Sequence, residues 1–470
     1  MNWLSWILGQ RITAMIWLTW KAAFRFRLFV VLAVLLLAAV VGLPMVIKDD
    51  GTARGFAQIL LTYTLSSVTA LLGLSTLWLS CGTLARDIEE QQMQVVATKP
   101  IARWEVWLGK WLGIVTLDAA LLTLAGACIC GMLQWRATRL PPDQQAILHS
   151  EILVARGSAR ERNPDEVINR VADGRLEESS KNMNLSPADL AVARQQLRDQ
   201  VKAQYESLPS GMVRIWRIHL GLERAFLKGK PLQVRVKFNA AEKSTSGTFI
   251  LGWQVGQPPA TPVWPMPEPL SLAPDTFHEF QIPPDLFDKD GVLTIACFNL
   301  NNTTLLFPAA DSLEVLYPVG GFAANFARGL GIILCWMGLL AAIGLAAASF
   351  LSFPVAAFLS LGVLTVSLCS GTLASVASTG AYWTYNSERG PSGAVLVDSI
   401  MVPLFRGALW LVNLAEDFSP IDALTMGRTI PWGTLGVAIA QIVLLLGGIA
   451  ALIGIAAFSR RELASAQASQ

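Results

Sequence analysis

The sequence LFVVLAVLLLAAVVGLPMVI extends from Leu28 to Ile47 without a single charged residue. A helix of about 20 apolar residues is long enough to cross the hydrocarbon core of a bilayer, which is about 30 Å thick. The run is too long for the apolar core of a typical signal peptide, and no small-residue cleavage site follows it. We therefore expect an uncleaved membrane anchor.

Several other segments share this character, and composition agrees with them. Of 470 residues, 53% are hydrophobic and 15% are charged, with a mean hydropathy of +0.48. An average soluble domain carries about 25% charged residues. The further candidate spans are Phe56–Leu84, Val106–Trp135, Leu330–Phe350, Pro354–Ser378 and Trp432–Phe458. We predict a polytopic α-helical membrane protein with about six spans.

Charged residues are concentrated in the middle of the chain. The chain has 36 Lys and Arg and 34 Asp and Glu residues, 70 in all, and about 40 of these lie between Arg136 and Glu314. This contrast predicts spans 1–3 in residues 1–135, an inserted extracytoplasmic α+β domain in residues 136–325, and spans 4–6 in residues 326–470. A net charge of +2 gives no reason to expect a nucleic-acid partner.

Lys and Arg residues near the span ends predict the orientation, because such residues are enriched on the cytoplasmic side. With six crossings, three basic groups fall on one side of the bilayer, and both termini lie in the cytoplasm. These groups are Arg11, Lys21, Arg25 and Arg27; Arg86, Lys99, Arg103 and Lys110; and Arg460 with Arg461.

Two apolar segments lie outside this simple pattern. Asn2–Lys21 contains four Trp residues and Arg11, which favours an interfacial helix leading into the first span, although it could simply lengthen that span.

Ser392–Leu414 contains Asp398, Pro403 and Arg406, and charged residues within a span are costly. We therefore expect a pair of short re-entrant or interfacial helices, within residues 392–430, rather than a seventh crossing.

The inserted domain divides into two parts. Residues 136–208 are polar and helical in pattern, with Asn163 and Ser186 placed before Pro as helix N-caps. Residues 209–320 alternate with a period of two, which predicts an antiparallel, jelly-roll-like sandwich. The alternating runs are Met212–Leu220, Leu232–Phe238, Thr248–Val255, Phe277–Ile282, Val292–Phe298 and Leu313–Tyr317. Trp253 and Trp264 either form an aromatic binding platform or lie in the core and at a sheet edge, respectively.

The connection between the second and third spans is the most informative segment for function. It reads RDIEEQQMQVVATKPIARW from Arg86 to Trp104 and mixes apolar and charged residues in a short amphipathic stretch. Pro100 disfavours helix at Lys99 and predicts a turn. By physical chemistry alone, the segment is either an ordinary polar loop or a surface element that transmits the movement of a cytoplasmic partner to the spans.

This segment resembles the signature of the ABC-2 family of transporter permeases, in which an Arg-Asp/Glu-Ile-Glu stretch precedes a Lys-Pro-Ile/Val-x-Arg turn and a Gly-Lys pair. The matching residues are Arg86, Asp87, Ile88, Glu89, Lys99, Pro100, Ile101, Arg103, Gly109 and Lys110. Glu90–Gln92 depart from the pattern, where the family often has Gly-Thr. Ser419–Leu424 and Phe458–Leu463 are also similar to the family, whereas the inserted domain is not.

The resemblance implies a bacterial inner-membrane protein that exports a substrate. Two membrane subunits, either a homodimer or a pair of related permeases, would bind two cytoplasmic ABC ATPase subunits. The segment at about 85–104 would be the coupling helix, with ATPase contacts at Arg86, Asp87, Ile88, Glu89, Lys99, Pro100 and Arg103. ATP with Mg²⁺ would be bound by the partner, because this chain has no phosphate-binding loop and we expect no cofactor of its own.

No pattern in the sequence indicates an enzyme or a metal site. Asp118 is the one candidate on a substrate path, because an acid within a span is a functional hypothesis; it could equally face a wet vestibule. Two other functions remain open. One is a mechanotransmitter that moves its outer domain, and the other is a membrane-anchored protein whose outer domain binds a protein or glycan.

Overall fold

A computed structural model describes residues 2–25, 28–46, 52–91, 101–148, 153–162, 164–180, 187–220, 227, 229–230, 232–242, 246–309, 312–368, 395–416 and 418–461. The chain divides into two compact units. We call Met1–Ala155 with Gly320–Gln470 the helical unit, and Arg156–Val319 the β unit.

In the described residues, the helical unit is built from long apolar helices and two helices of only six residues. They are α1 (Asn2–Arg25), α2 (Leu28–Val46), α3 (Ala53–Glu89), α4 (Arg103–Ala137), α5 (Pro142–Ile147), α8 (Phe322–Phe350), α9 (Phe353–Leu368), α10 (Val395–Glu416), α11 (Pro420–Thr425) and α12 (Trp432–Arg460). Residues Ile439–Gly447 of α12 have π-helical hydrogen bonding.

Within the described residues, five helices are long and apolar enough to cross a membrane, namely α2, α3, α4, α8 and α12. They coincide with five of the six predicted spans. For the predicted span Pro354–Ser378 the structure gives the 16-residue helix α9, and residues 369–394 lie outside the described residues. A mostly helical chain with helices apolar enough to span a membrane and a separate antiparallel β region is thus confirmed, whereas membrane insertion and the count of six crossings stay predictions.

Large apolar side chains cover the outside of these helices. Phe358 is 80% exposed, Leu444 is 69% exposed and Leu452 is 71% exposed. Burial of such side chains contributes about 1.5–3 kcal/mol each, so full exposure to water would forfeit that stabilisation. Their natural surrounding is an apolar solvent, as a bilayer provides.

Helix α1 packs along α4. A Cβ atom added at Gly109 would lie 2.5 Å from Cβ of Met15, and one at Gly113 would lie 2.7 Å from Cβ of Thr19. The two glycines therefore permit the close approach of two helices that is common in membrane proteins. Trp20 Nε1 donates to Thr116 Oγ1 at 3.0 Å. A position of α1 at the membrane surface stays a prediction.

The described residues within 392–430 form two helices, α10 and α11, as expected. Helix α10 differs from the expectation in its length, because it has 22 residues and continues through Pro403. Its position relative to a membrane stays a prediction. Proline is tolerated in membrane helices, because neighbouring groups can satisfy the freed carbonyl. Asp398 lies in this helix, but the structure does not describe its side chain.

The β unit begins with β1 (Val154–Arg160) and two helices, α6 (Pro164–Ser180) and α7 (Pro187–Glu206). Strands occupy all six alternating runs. The remaining strands are β2 (Ser207–Leu208), β3 (Val213–His219), β4 (Leu232–Val236), β5 (Asn239–Ala240), β6 (Phe249–Val255), β7 (Trp264–Pro265), β8 (Leu270–Leu272), β9 (His278–Ile282), β10 (Val292–Asn299), β11 (Leu305–Leu306) and β12 (Leu313–Gly321).

Three sheets have the strand orders β1-β12-β4-β9, β3-β10-β6-β7 with β8 on β6, and β2-β11-β5. The two larger sheets share one core, in which Val234 of the first sheet and Trp216 of the second are buried. Trp253 is 3% exposed and stacks on Trp216 with ring centroids 6.3 Å apart. Trp253 is therefore a core residue, and Trp264 lies on the short strand β7, which contradicts the aromatic platform.

Strand β1 lies in the part of the inserted domain that we expected to be helical, so that expectation is wrong for Val154–Arg160. Its sequence VARGSAR has no apolar alternation. A Cβ atom at Gly157 would collide with the ring of Tyr317, so glycine permits β1 to lie close to β12. Tertiary contacts, rather than a local pattern, determine this strand.

A row of charges, all buried except Arg160, crosses the first sheet on the face away from the shared core. Arg235 of β4 lies directly opposite Glu314 of β12 and Glu279 of β9 in the strand register. Arg235 Nη1 is 3.3 Å from Glu314 Oε1, and Arg156 Nη1 is 3.0 Å from Glu279 Oε2. We call Arg156, Arg160, Arg235, Glu279 and Glu314 the charge row.

Candidate functional site

The candidate site is one end of the helical unit, where the C-terminal ends of α3, α8 and α12 meet the N-terminal ends of α4 and α9. We call it the shared end. The six-span prediction places each of these helix ends on the same side of the membrane. The shared end contains the described part of the predicted coupling segment.

The centre of the shared end is a salt bridge between α3 and α4. Lys110 Nζ lies 2.5 Å from Asp87 Oδ2 and donates to the carbonyl oxygen of Thr83 at 2.9 Å. Lys110 is 4% exposed. Because a buried cation is costly without a partner, this bridge fixes the last turn of α3 against α4.

Glu89 is the last residue of α3, and it joins α3 to α9. Its Oε1 accepts a hydrogen bond from the backbone N–H of Phe353 at 3.0 Å, at the first residue of α9. The amino end of a helix favours a negative charge, because its first N–H groups lack partners within the helix. The Arg86 guanidinium lies 4.5 Å from the centroid of the Phe353 ring. Two consecutive turns of α3 therefore bind the start of α9.

Helix α3 ends in a backbone turn just beyond Glu89. The N–H of Glu90 donates to the carbonyl oxygen of Arg86 at 2.7 Å, and Gln91 has a φ of 60°. A left-handed residue after a helix is a common C-terminal stop. The chain leaves the helix at this point, and residues 92–100 lie outside the described part.

Arg103 begins α4 and caps the end of α12. Its Nη1 donates to the carbonyl oxygens of Phe458 at 2.7 Å, Ser459 at 3.0 Å and Arg461 at 2.9 Å. Arg461 Nη1 in turn lies 3.4 Å from the carbonyl oxygen of Ala348 near the end of α8. A cation beside a helix C-terminus is favourable for the same reason that an anion favours the N-terminus. The ends of α4, α12 and α8 are thereby connected in series.

Glu105 closes the first turn of α4. Its Oε2 accepts the N–H of Ala102 at 3.0 Å and lies 3.8 Å from Nη1 of Arg11 on α1. Glu105 is 3% exposed. The spacing of three residues between Ala102 and Glu105 is that of a capping box. This contact brings α1 into the network of the shared end.

The structure places the predicted coupling residues as follows. Arg86, Asp87, Ile88 and Glu89 form the last turn of α3, and Arg103 is the first residue of α4. Asp87, Glu89 and Arg103 bind other helices of the same chain, and Ile88 packs on the apolar cluster of the shared end. Lys99 and Pro100 lie outside the described residues, so the expected turn at Pro100 is not described.

Glu105, Phe353 and Arg461 are members of this network that we did not predict from the sequence. Glu105 had a local signal in its spacing from Ala102. Phe353 and Arg461 had none, because each is defined only by a contact between helices distant in sequence. Among the described residues, no three His, Cys, Asp or Glu side chains are grouped as metal ligands.

Asp118 lies within the bundle, away from the shared end. It is 2% exposed, and Thr76 Oγ1 donates to its Oδ2 at 2.9 Å. Thr76 also contacts Sδ of Met337 at 3.7 Å. Asp118 therefore sits between α3, α4 and α8, and it does not face a wet vestibule in this structure.

The opposite end of the helices has its own contacts. Arg136 Nη2 donates to the carbonyl oxygen of Pro44 at 3.1 Å. Asn325 Nδ2 donates to the carbonyl oxygen of Arg428 at 2.7 Å, and Asn325 Oδ1 accepts the N–H of Ile430 at 2.7 Å. These hydrogen bonds each join two neighbouring segments, whereas the ion pairs and helix caps of the shared end connect several helix ends to one another.

Comparisons with known proteins give no relative. Neither the models of protein families nor the curated proteins match the sequence, and no solved structure matches the fold.

Proposed function

We propose that this chain is the membrane subunit of an ATP-driven transporter of the ABC-2 type, moved by a separate cytoplasmic ATPase that binds ATP and Mg²⁺. The shared end faces the cytoplasm of a bacterial inner membrane, the chain crosses six times, and the β unit lies outside. The subunit pairs with a second copy or a related permease. Export is the direction that the resemblance favours.

The observation that supports this proposal is the linkage of helix ends on both sides of residues 92–100. A force on that segment acts on the last turn of α3 and the first turn of α4. The Asp87–Lys110 bridge, the Glu89 cap on α9 and the Arg103 cap on α12 would pass the displacement to four helices. An ordinary polar loop would not need its flanking charges to cap other helices.

The same contacts change how the coupling hypothesis should be tested. Reversal of Asp87, Glu89 or Arg103 would break internal contacts, so loss of a partner would be ambiguous. Glu90 is exposed at the end of α3 and next to the undescribed segment. Glu90→Lys is therefore the better probe of docking.

The experiment is affinity purification of the full-length chain from native membranes in mild detergent, followed by an assay of ATP hydrolysis in the eluate. We expect hydrolysis with the wild type, loss of it with Glu90→Lys, and no change with the exposed control Glu178→Lys in α6. Hydrolysis retained equally in all three would contradict docking at this segment. A folded wild-type chain without any ATPase would favour the anchored binding protein.

One observation supports force transmission as a second candidate. Strand β12 ends at Gly321 and α8 begins at Phe322, so the sheet and a membrane helix are consecutive in the chain. A movement of α8 would then act on β12 without an intervening linker. Transport of a substrate by the reconstituted complex would exclude a purely mechanical role, whereas ATP-dependent change in the β unit without transport would support it.

A further inference from the structure

A second feature of the helical unit is a cleft between α1 and α3. Both helices pack on α4, and Lys110 of α4 lines the cleft between them. The cavity has a volume of about 350 Å³, which falls in the range of ligand sites, about 300–1,000 Å³. The cleft adjoins the shared end, with which it has Arg86, Asp87 and Lys110 in common.

The cleft has an excess of positive charge. Its lining includes Lys21, Arg25, Arg86 and Lys110 against the carboxylates of Asp87 and Glu90. Lys110 and Asp87 neutralise each other in their salt bridge. The charges of Arg25 and Glu90 cancel formally, and Lys21 with Arg86 leaves a formal charge of +2, which suits a phosphate group.

Another part of the cleft wall is apolar and is exposed at the surface of the protein. Leu18 and Trp78 line it, and they are 55% and 53% exposed. Trp78 packs edge-on against Phe353, with ring centroids 5.1 Å apart. Tryptophan and basic side chains together are typical of the headgroup level of a membrane. A soluble anion would use the cations alone, whereas a lipid would also cover Leu18 and Trp78.

We propose that this cleft binds the phosphate headgroup of an anionic phospholipid, with Lys21 and Arg86 as the principal phosphate contacts and Leu18 and Trp78 beside the acyl chain. Basic pockets between membrane helices on the cytoplasmic side are sites of this kind. The proposal rests on insertion in a membrane and does not depend on a partner ATPase. The bound lipid would join α1 to α3, which otherwise meet mainly through α4.

The test is native mass spectrometry of the purified full-length chain with phosphatidylglycerol or phosphatidylcholine of identical acyl chains. We expect the wild type to retain phosphatidylglycerol in preference, and Lys21→Gln with Arg86→Gln to bind it at least tenfold more weakly. Lys21→Arg with Arg86→Lys should retain binding, because the charges remain. Lys21→Gln alone provides the readout if the double variant does not fold.

The matched control removes two cations from the opposite end of the helices. Arg139 lies 4.0 Å from the Trp135 ring centroid, and Arg328 lies 5.3 Å from that of Trp432. Arg139→Gln with Arg328→Gln should leave lipid retention unchanged. An equal loss of lipid retention in this control would overturn the proposed site, because non-specific electrostatic attraction would then explain the binding.

Soluble glycerol phosphate tests whether the cleft binds a water-soluble phosphate instead of a membrane lipid. We expect it to compete at least tenfold more weakly than the lipid, because it lacks the acyl chains. Competition at the same concentration as the lipid would assign the site to a water-soluble phosphate and overturn the lipid proposal.

Discussion

The shared end of the helical unit and the charge row of the β unit use buried charges in different ways. At the shared end, each charged group caps or bridges a different helix end, as Glu89 does for α9 and Arg103 for α12. In the charge row, Arg235 lies between Glu279 and Glu314 in adjacent strands. The first arrangement links separate elements, and the second fixes the register of one sheet.

This difference has a mechanical consequence. A one-residue slip of β4 would carry Arg235 to the other face and leave two carboxylates without their cation. The row therefore favours a single arrangement of the sheet. Helix caps instead involve terminal groups, so a pair of helices can move together while its cap is kept. We infer that the shared end is suited to transmit movement, and the charge row to resist it.

The largest expected effect is the loss of Arg235. Arg235→Met would remove the central cation between the buried carboxylates of Glu279 and Glu314. The cost should be about 3 kcal/mol, at the lower end for a broken buried pair, because Glu279 keeps Arg156 and Glu314 keeps Arg160. Hydrogen exchange of the β4 and β9 amides in the full-length chain measures the local loss of stability. Replacing Arg156, Arg235, Glu279 and Glu314 together by Leu should recover most of it, because no buried charge is then left without a partner.

The control for this prediction is an exposed pair of the same residue types. Arg170 and Glu166 are one turn apart on α6, with side chains 76% and 62% exposed. Arg170→Met should change stability by at most about 0.5 kcal/mol. If Arg235→Met were as mild as Arg170→Met, the charge row would not hold the register.

The second prediction concerns the bridge at the shared end. Lys110→Met should destabilise the helical unit by about 2 kcal/mol, less than the loss of Arg235, because Asp87 remains 25% exposed to water. Thermal unfolding in detergent measures this change. Asp87→Asn in the same chain should restore part of the loss, and strictly additive effects of the two changes would rule out a direct coupling.

The third prediction tests a contact that uses no charge. Gly109→Val should push α1 from α4, because the new side chain overlaps Met15, at a cost of about 1–3 kcal/mol. Limited proteolysis of α1 should become faster. Gly131 is the matched control on the same helix, since a Cβ atom there has no neighbour within 4 Å. Equal proteolysis of the two variants would contradict close packing of α1.

The smallest expected effect concerns Tyr205 in the β unit, outside the charge row. Burial and the hydrogen bond to Glu161 raise the pKa of Tyr205 from 10.0 to about 12. The folded chain then keeps this proton while the unfolded chain loses it, so stability falls as pH rises from about 10 to about 12. Denaturant titrations at several pH values should show that Tyr205→Phe removes this part of the fall in stability. An identical pH dependence in both proteins would show an unperturbed phenol.

Much of the architecture could be predicted from local patterns. The uncharged run at Leu28–Ile47 predicted α2, since few structures other than a membrane helix accommodate it. Alternation predicted β6 and β10, because one face of each strand is buried. By contrast, β1 contains a buried Arg156 and Gly157, whose roles exist only beside their partners in the other strands.

The candidate site shows the same limit. The resemblance predicted that Asp87, Glu89 and Arg103 contact a partner at the surface. In the structure they contact Lys110, the Phe353 backbone and the end of α12. No local sequence rule pairs a residue with a helix end more than 250 positions away. Exposure, and not the motif, therefore selects Glu90 as the probe for docking.

The most direct test of the central proposal is the mass of the wild-type complex purified from native membranes in mild detergent. We predict two membrane subunits with two copies of a nucleotide-hydrolysing protein, and release of that protein by Glu90→Lys. A folded chain whose mass corresponds to itself alone, under conditions that preserve the lipid-bound state, would contradict the coupling role of the shared end.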